Sequence, residues 1–96
     1  MKKPCVYMLA NKRNGTLYLG VTSDLSQRIW QHKNKQVDGF SKKYDLSMLV
    51  YYEAHDTMEN AIMREKKLKG SSRARKLAII EKINPNWQDL YDGVTV

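Results

Sequence analysis

The stretch CVYMLANKRNGTLYLG, Cys5 to Gly20, constrains the fold more than any other part of the chain. Its apolar residues alternate on both sides of an Asn-Gly turn, the pattern of a β-hairpin. Val6, Met8 and Ala10 share one face of the first strand, and Leu17, Leu19 and Val21 share one face of the second. A hairpin loop with an even number of residues puts these six on the same side. The opposite side then holds Tyr7, Leu9, Asn11, Tyr18, Gly20 and Thr22. A four-residue loop, Lys12 to Gly15, sets Tyr7 opposite Gly20 and Tyr18 opposite Leu9, leaving the tyrosines as diagonal neighbours roughly 7–8 Å apart. A two-residue Asn14-Gly15 turn keeps the face but separates them further. The alternation predicts a buried Val6 face and an exposed face shared by both tyrosines. Tyrosine is also an ordinary strand residue, so the pairing alone does not make them functional.

The rest of the chain supplies layers to cover such a hairpin. Ser23 and Asp24 suit the cap of a helix from Leu25 to about Lys33. The segment NKQVDGFSKKYD reads as a polar loop. SMLVYYE reads as a third strand, buried on both faces because it alternates poorly. Asp56 with Glu59 resembles a capping box for a helix over about 57–69, which Gly70 would close as C′. Ser71 or Ser72 caps a further helix to about Ile83, and Pro85 prevents its continuation. The order ββαβαα implies an α/β (α+β) fold: a small, three-stranded, mainly antiparallel sheet flanked by helices. With 96 residues the expectation is one domain, with a core over about 4–84 and a C-terminal tail over 85–96.

Charge narrows the partners. Seventeen basic and ten acidic residues give a net charge of +7, and the pI is near 9.6. Such a surface suits nucleic acid ahead of an anionic membrane. Between Arg64 and Lys76 seven basic residues (Arg64, Lys66, Lys67, Lys69, Arg73, Arg75, Lys76) face a single acid, Glu65. No run approaches the ~20 apolar residues of a membrane span, and the run after Pro4 is too short for a secretory signal. One cysteine, Cys5, fits a reducing cytoplasm. With two histidines it does not complete a structural zinc site.

Two further features point to phosphate chemistry. Arg28 and His32 lie four apart and form one stripe beside the core positions Leu25 and Ile29. Arg offers a planar fork of donors, and His relays protons near neutral pH. A solvated helix edge accounts for the same spacing. Glu65 falls within the apolar stripe of Met58, Ala61, Ile62 and Leu68, where a carboxylate is expected only if paired or ligating a cation. A salt bridge to Arg28 or a lysine and a site for a hard divalent ion are both consistent with it. Together the phenols, imidazole, guanidinium and carboxylate suffice for phosphodiester hydrolysis with one metal ion.

With these residues in view, the sequence resembles the GIY-YIG nuclease superfamily, in its small single-domain, excinuclease-like group. The first motif reads Cys5-Val6-Tyr7 and the second Tyr18-Leu19-Gly20, followed by VTSDLSQR ending at Arg28. AIMREKKLKG (Ala61 to Gly70) and NPNWQDLY (Asn84 to Tyr91) also resemble the small proteins of this group. The resemblance implies that Tyr7 and Tyr18 are the paired active-site tyrosines and that Arg28 stabilises the phosphate. It places His32 where relatives carry Tyr or His, makes Glu65 the metal-binding glutamate, and suggests Asn84, or Asn86, as a late site-lining residue. Cys5 stands where the motif has glycine. Val21 stands where some relatives have lysine, which would leave activation of water to the metal, Arg28 or His32.

The expectation is therefore a metal-dependent endonuclease-type phosphodiesterase acting on DNA, with one Mg²⁺ or Mn²⁺ as cofactor and a link to DNA repair. Lys42, Lys43 and the basic residues from Arg64 to Lys76 would hold the flanking backbone. No base-reading module is encoded, so selectivity should rest on DNA structure or on a protein partner. A catalytically silent nucleic-acid-binding module of the same fold is the alternative.

Overall fold

A computed structural model describes residues 2–37 and 39–94. Residues 95 and 96, at the end of the expected tail, lie outside the described residues. The elements are β1 (Cys5–Ala10), β2 (Leu17–Thr22), α1 (Leu25–Lys33), α2 (Phe40–Lys43), β3 (Met48–Ala54), α3 (Met58–Lys69), α4 (Arg73–Ile83) and a final 3-10 turn, Tyr91–Val94. The three strands form an antiparallel sheet in the order β2-β1-β3.

The hairpin register is the one a four-residue loop dictates: Tyr7 pairs with Gly20 and Leu9 with Tyr18. The loop is held by its own groups. Gly15 N–H donates to Lys12 O at 3.0 Å, Thr16 N–H donates to Asn11 Oδ1 at 3.1 Å, and Asn14 adopts a left-handed φ of 55°.

The tyrosine face differs from the sequence expectation. The two tyrosines do share a face, but Tyr7 is 1% exposed. β1 is the central strand, and α1 turns back across it. Cys5, Tyr7 and Leu9 pack there with Leu25, Ile29, Leu46, Leu49 and Val94. The other face is covered by α3 and α4: Val6 meets Ala61 and Leu68, while Met8 and Ala10 meet Ile80 and Trp87. The continuous apolar run of β1 is thus the signature of burial on both sides. β3, expected to be the doubly buried strand, is an edge strand that is covered on both faces over Leu49, Val50 and Tyr51. The stretch after Pro85 also enters the core through Trp87 and Val94, both buried.

Helix ends are set by side chains. Asp24 accepts from Gln27 N–H, and Ser72 accepts from Arg75 N–H. Thr57, not Asp56, caps α3, accepting from Asn60 N–H, so no Asp56–Glu59 box forms. Gly70 follows α3 in a right-handed conformation (φ −79°) rather than the left-handed one expected of C′. The polar loop after α1 contains a helical turn, α2, entered through Gly39 at φ 101°. Ile62, expected in the apolar stripe, is exposed.

Candidate active site

The site is built where β1, β2, α1 and α2 meet. The register places the Tyr7 ring over Gly20: a Cβ at Gly20 would lie 2.6 Å from both Cζ and Oη of Tyr7. Only glycine lets the phenol lie this low against β2. Tyr18, half-buried on the neighbouring strand, stands with its ring centroid 6.2 Å from that of Tyr7. His32, at the C-terminal end of α1 and 4% exposed, completes a three-ring cluster, with centroids 5.7 Å from Tyr7 and 5.3 Å from Tyr18.

Hydrogen bonds fix this cluster. Tyr7 Oη lies 2.9 Å from His32 Nε2, and His32 Nδ1 lies 3.0 Å from Ser41 Oγ, itself buried. With the imidazole proton on Nδ1 and donated to Ser41, Nε2 accepts from the Tyr7 phenol; the other tautomer reverses both bonds. Burial and the nearby Arg28 charge lower the His32 pKa to about 4, so the ring is neutral at neutral pH. The Tyr7 pKa is raised, by burial first and then by Tyr18, with Arg28 opposing and Glu65 adding to the rise. Tyr7 is therefore a phenol, not a phenolate. These influences also place Arg28 and Glu65 within electrostatic reach of Tyr7. Glu65 keeps 15% of its side chain exposed and pairs with Lys69 Nζ at 3.4 Å.

Of the residues expected from the sequence, Tyr7, Tyr18 and His32 are thus brought into contact, and the charges of Arg28 and Glu65 act on the Tyr7 phenol. Asn84 is placed differently. It is the C-cap of α4, its Nδ2 donates to Val50 O and Gln88 O, and its Oδ1 accepts from Gln88 N–H. Its amide is consumed in fastening the C-terminal segment to β3. Asn86 is exposed. Ser41 was not legible in the sequence, because a serine in an aperiodic polar loop carries no sign of which ring it will meet.

The basic residues also divide. Arg64 turns inward, donating from Nε to Glu53 Oε1 at 2.9 Å. Tyr51 and His55 hold the same carboxylate. Burial pushes Glu53 up, yet the bonds from Tyr51, His55 and Arg64 outweigh it and hold the group below the usual carboxylate range. Arg73 donates to Asn14 O and Gly15 O at 2.8 and 2.7 Å, fastening the hairpin turn to α4. Both arginines have structural partners that reduce their availability to a phosphate. Lys42, Lys43, Lys66, Lys67, Lys69 and Arg75 are exposed, and Lys76 is half-buried.

Among the described residues, no group of three or more His, Cys, Asp or Glu is gathered for a metal ion. Glu65, the carboxylate the sequence suggests for a cation, is ion-paired with Lys69; a lone carboxylate of this kind suits a hard divalent cation that keeps most of its waters. No helix among the described residues is long and apolar enough to cross a membrane.

A buried Tyr–His pair, with Arg28 and Glu65 acting electrostatically on the phenol, sits on this small sheet, and a family match makes the domain nuclease-type. The GIY-YIG catalytic domain family matches residues 3–78, and the chain belongs to that family. Its relatives include a UPF0213 protein of Staphylococcus saprophyticus, 38% identical over 80 residues that span 83% of this chain and 96% of that protein. Another, from Staphylococcus epidermidis, is 32% identical over 81 residues, 84% of this chain and 98% of its own. The solution NMR structure of a UPF0213 protein from Bacillus halodurans has the same fold (TM-score 0.58, 24% identity, covering 98% of this chain and 99% of that one).

Proposed function

We propose that this chain is a metal-dependent endonuclease-type phosphodiesterase that cuts DNA selected by structure rather than sequence. The observation that carries the reading is the chain of polar contacts Tyr7–His32–Ser41, with Arg28 and Glu65 acting on the same phenol. Glu65 would hold one Mg²⁺ or Mn²⁺, which when bound supplies positive charge beside the scissile phosphate.

The chain's own residues account for the proton. Arg28 binds the phosphate oxygens through its guanidinium fork. Tyr7 orients a water, takes its proton at Oη and passes its own phenolic proton to His32 Nε2. The water oxygen bonds to phosphorus, the P–O bond to the leaving group breaks, and the leaving oxygen takes a proton from solvent. A pKa of about 4 makes His32 a weak base in the unbound protein. Burial is the larger cause of that lowering and the Arg28 charge the smaller. An anionic phosphate seated on Arg28 offsets the second, so bound substrate makes the imidazole more basic.

Incubation of nicked, branched and single-stranded DNA with Mg²⁺ or Mn²⁺ tests the reading. Glu65→Gln should lose about a hundredfold or more in cleavage while still binding DNA. Cleavage by neither protein on any substrate, with binding retained, would establish the alternative of a silent nucleic-acid-binding module.

A further inference from the structure

The helical turn α2 has one residue on the active site and its neighbours in solvent. Ser41 is buried and bonds His32 Nδ1, two bonds of the same ring away from the contact with Tyr7. On either side of it in sequence, Phe40 is 48% exposed and Tyr44 is 42% exposed. Their rings are 4.7 Å apart between centroids and tilted by 47°. Lys42 and Lys43 are exposed in the same turn, with Lys43 Nζ 5.4 Å from the Tyr44 ring centroid. These two rings keep nearly half of their surface in water, beside two exposed lysines. Aromatic faces next to lysines are the chemistry that holds single-stranded nucleic acid: each base offers a π-face, and each phosphate a charge.

We propose that α2 is a stacking platform for an unpaired base of the DNA strand whose scissile phosphate lies at Tyr7 and Arg28. Phe40 and Tyr44 take the base, and Lys42 and Lys43 take the phosphates next to it. A base inside a duplex already has both faces covered by its neighbours, so the platform selects strands that are unpaired beside the cut. The proposal rests on the nuclease reading and gives it a substrate class. It also links recognition to chemistry, because the turn that holds the base is the one whose serine orients His32.

The test separates stacking from cleavage. Wild-type protein in a chelator, so that no cutting occurs, is titrated into two oligonucleotides carrying 2-aminopurine, one with the base unpaired next to a duplex and one fully paired. The unpaired probe should bind about tenfold or more tightly, and its emission should be quenched. Phe40→Ala/Tyr44→Ala, two exposed positions whose replacement leaves the core intact, should abolish the quench and the preference. Lys42→Ala/Lys43→Ala should weaken both probes alike and reduce the salt dependence. DNA bound with unchanged emission and no preference, in wild type as in the double alanine variant, overturns the platform and leaves the nuclease reading standing. A patch that serves a protein partner gives this same result. Failure to bind either probe, together with failure to cut in Mg²⁺, overturns both.

Discussion

A methyl group on Gly20 would press on Cζ and Oη of Tyr7, whose ring is buried and tied to His32 at 2.9 Å. The phenol cannot swing clear without breaking that bond. Gly20→Ala should therefore cost about 1–3 kcal/mol in urea unfolding, the usual price of overpacking, and should reduce cleavage more than substrate binding. Unchanged cleavage would show that the Tyr7–His32 contact is not used. His32 gives a prediction in pH. The unfolded chain binds a proton at this histidine below about 6.5, whereas the folded one does not until about 4. Unfolding therefore takes up a proton in that window. The stability owed to the neutral ring is complete above 6.5 and is lost as pH falls toward 4, by an amount on the order of 2–3 kcal/mol. Urea midpoints at pH 7.5 and 4.5 should fall further for wild type than for His32→Gln. Parallel losses in the two proteins would contradict it.

At the scale of elements, what was legible depended on period and on local chemistry. The face shared by Tyr7 and Tyr18 followed from alternation and an even loop, which left the register open between a two- and a four-residue turn. Helix α1 followed from a capping aspartate before Leu25 and Ile29. The side of the sheet that would be covered did not follow. Alternation tells which residues share a face; it does not tell that α1 will fold back across Tyr7. The unbroken apolar run CVYMLA does carry that information, as the signature of a strand covered on both faces. Four-residue α2 is too short to have a period, and its link to the ring cluster, Ser41 to His32, joins residues nine apart through a loop. The basic run on α3 and α4 was legible as charge but not as partners. Glu53, eleven residues before Arg64, takes that guanidinium inward, and the hairpin turn takes Arg73. The backbone partners of Asn84 were not legible for a related reason, since an asparagine that ends a helix beside a strand bonds main-chain groups that only the fold supplies.

On the scale of the molecule, the two sheet faces carry separate burdens. One face, under α3 and α4, is apolar packing closed by the Glu53 cluster. The other, under α1, α2 and the final turn, mixes core residues with Tyr7, Tyr18 and His32, so activity and stability draw on the same side chains there, while Glu65 acts on the Tyr7 phenol from α3. The central strand joins both faces, and its first residue is Cys5, the single thiol of the chain, 0% exposed and with its pKa raised chiefly by burial. A thiol in that position reacts with an aromatic disulfide reagent only from molecules in which β1 has parted from its neighbours. The rate of labelling therefore times that parting without an engineered cysteine, and it should slow in urea-free buffer when an oligonucleotide occupies the tyrosine face. Labelling as fast as that of an unfolded peptide would mean that the strand frays at its start.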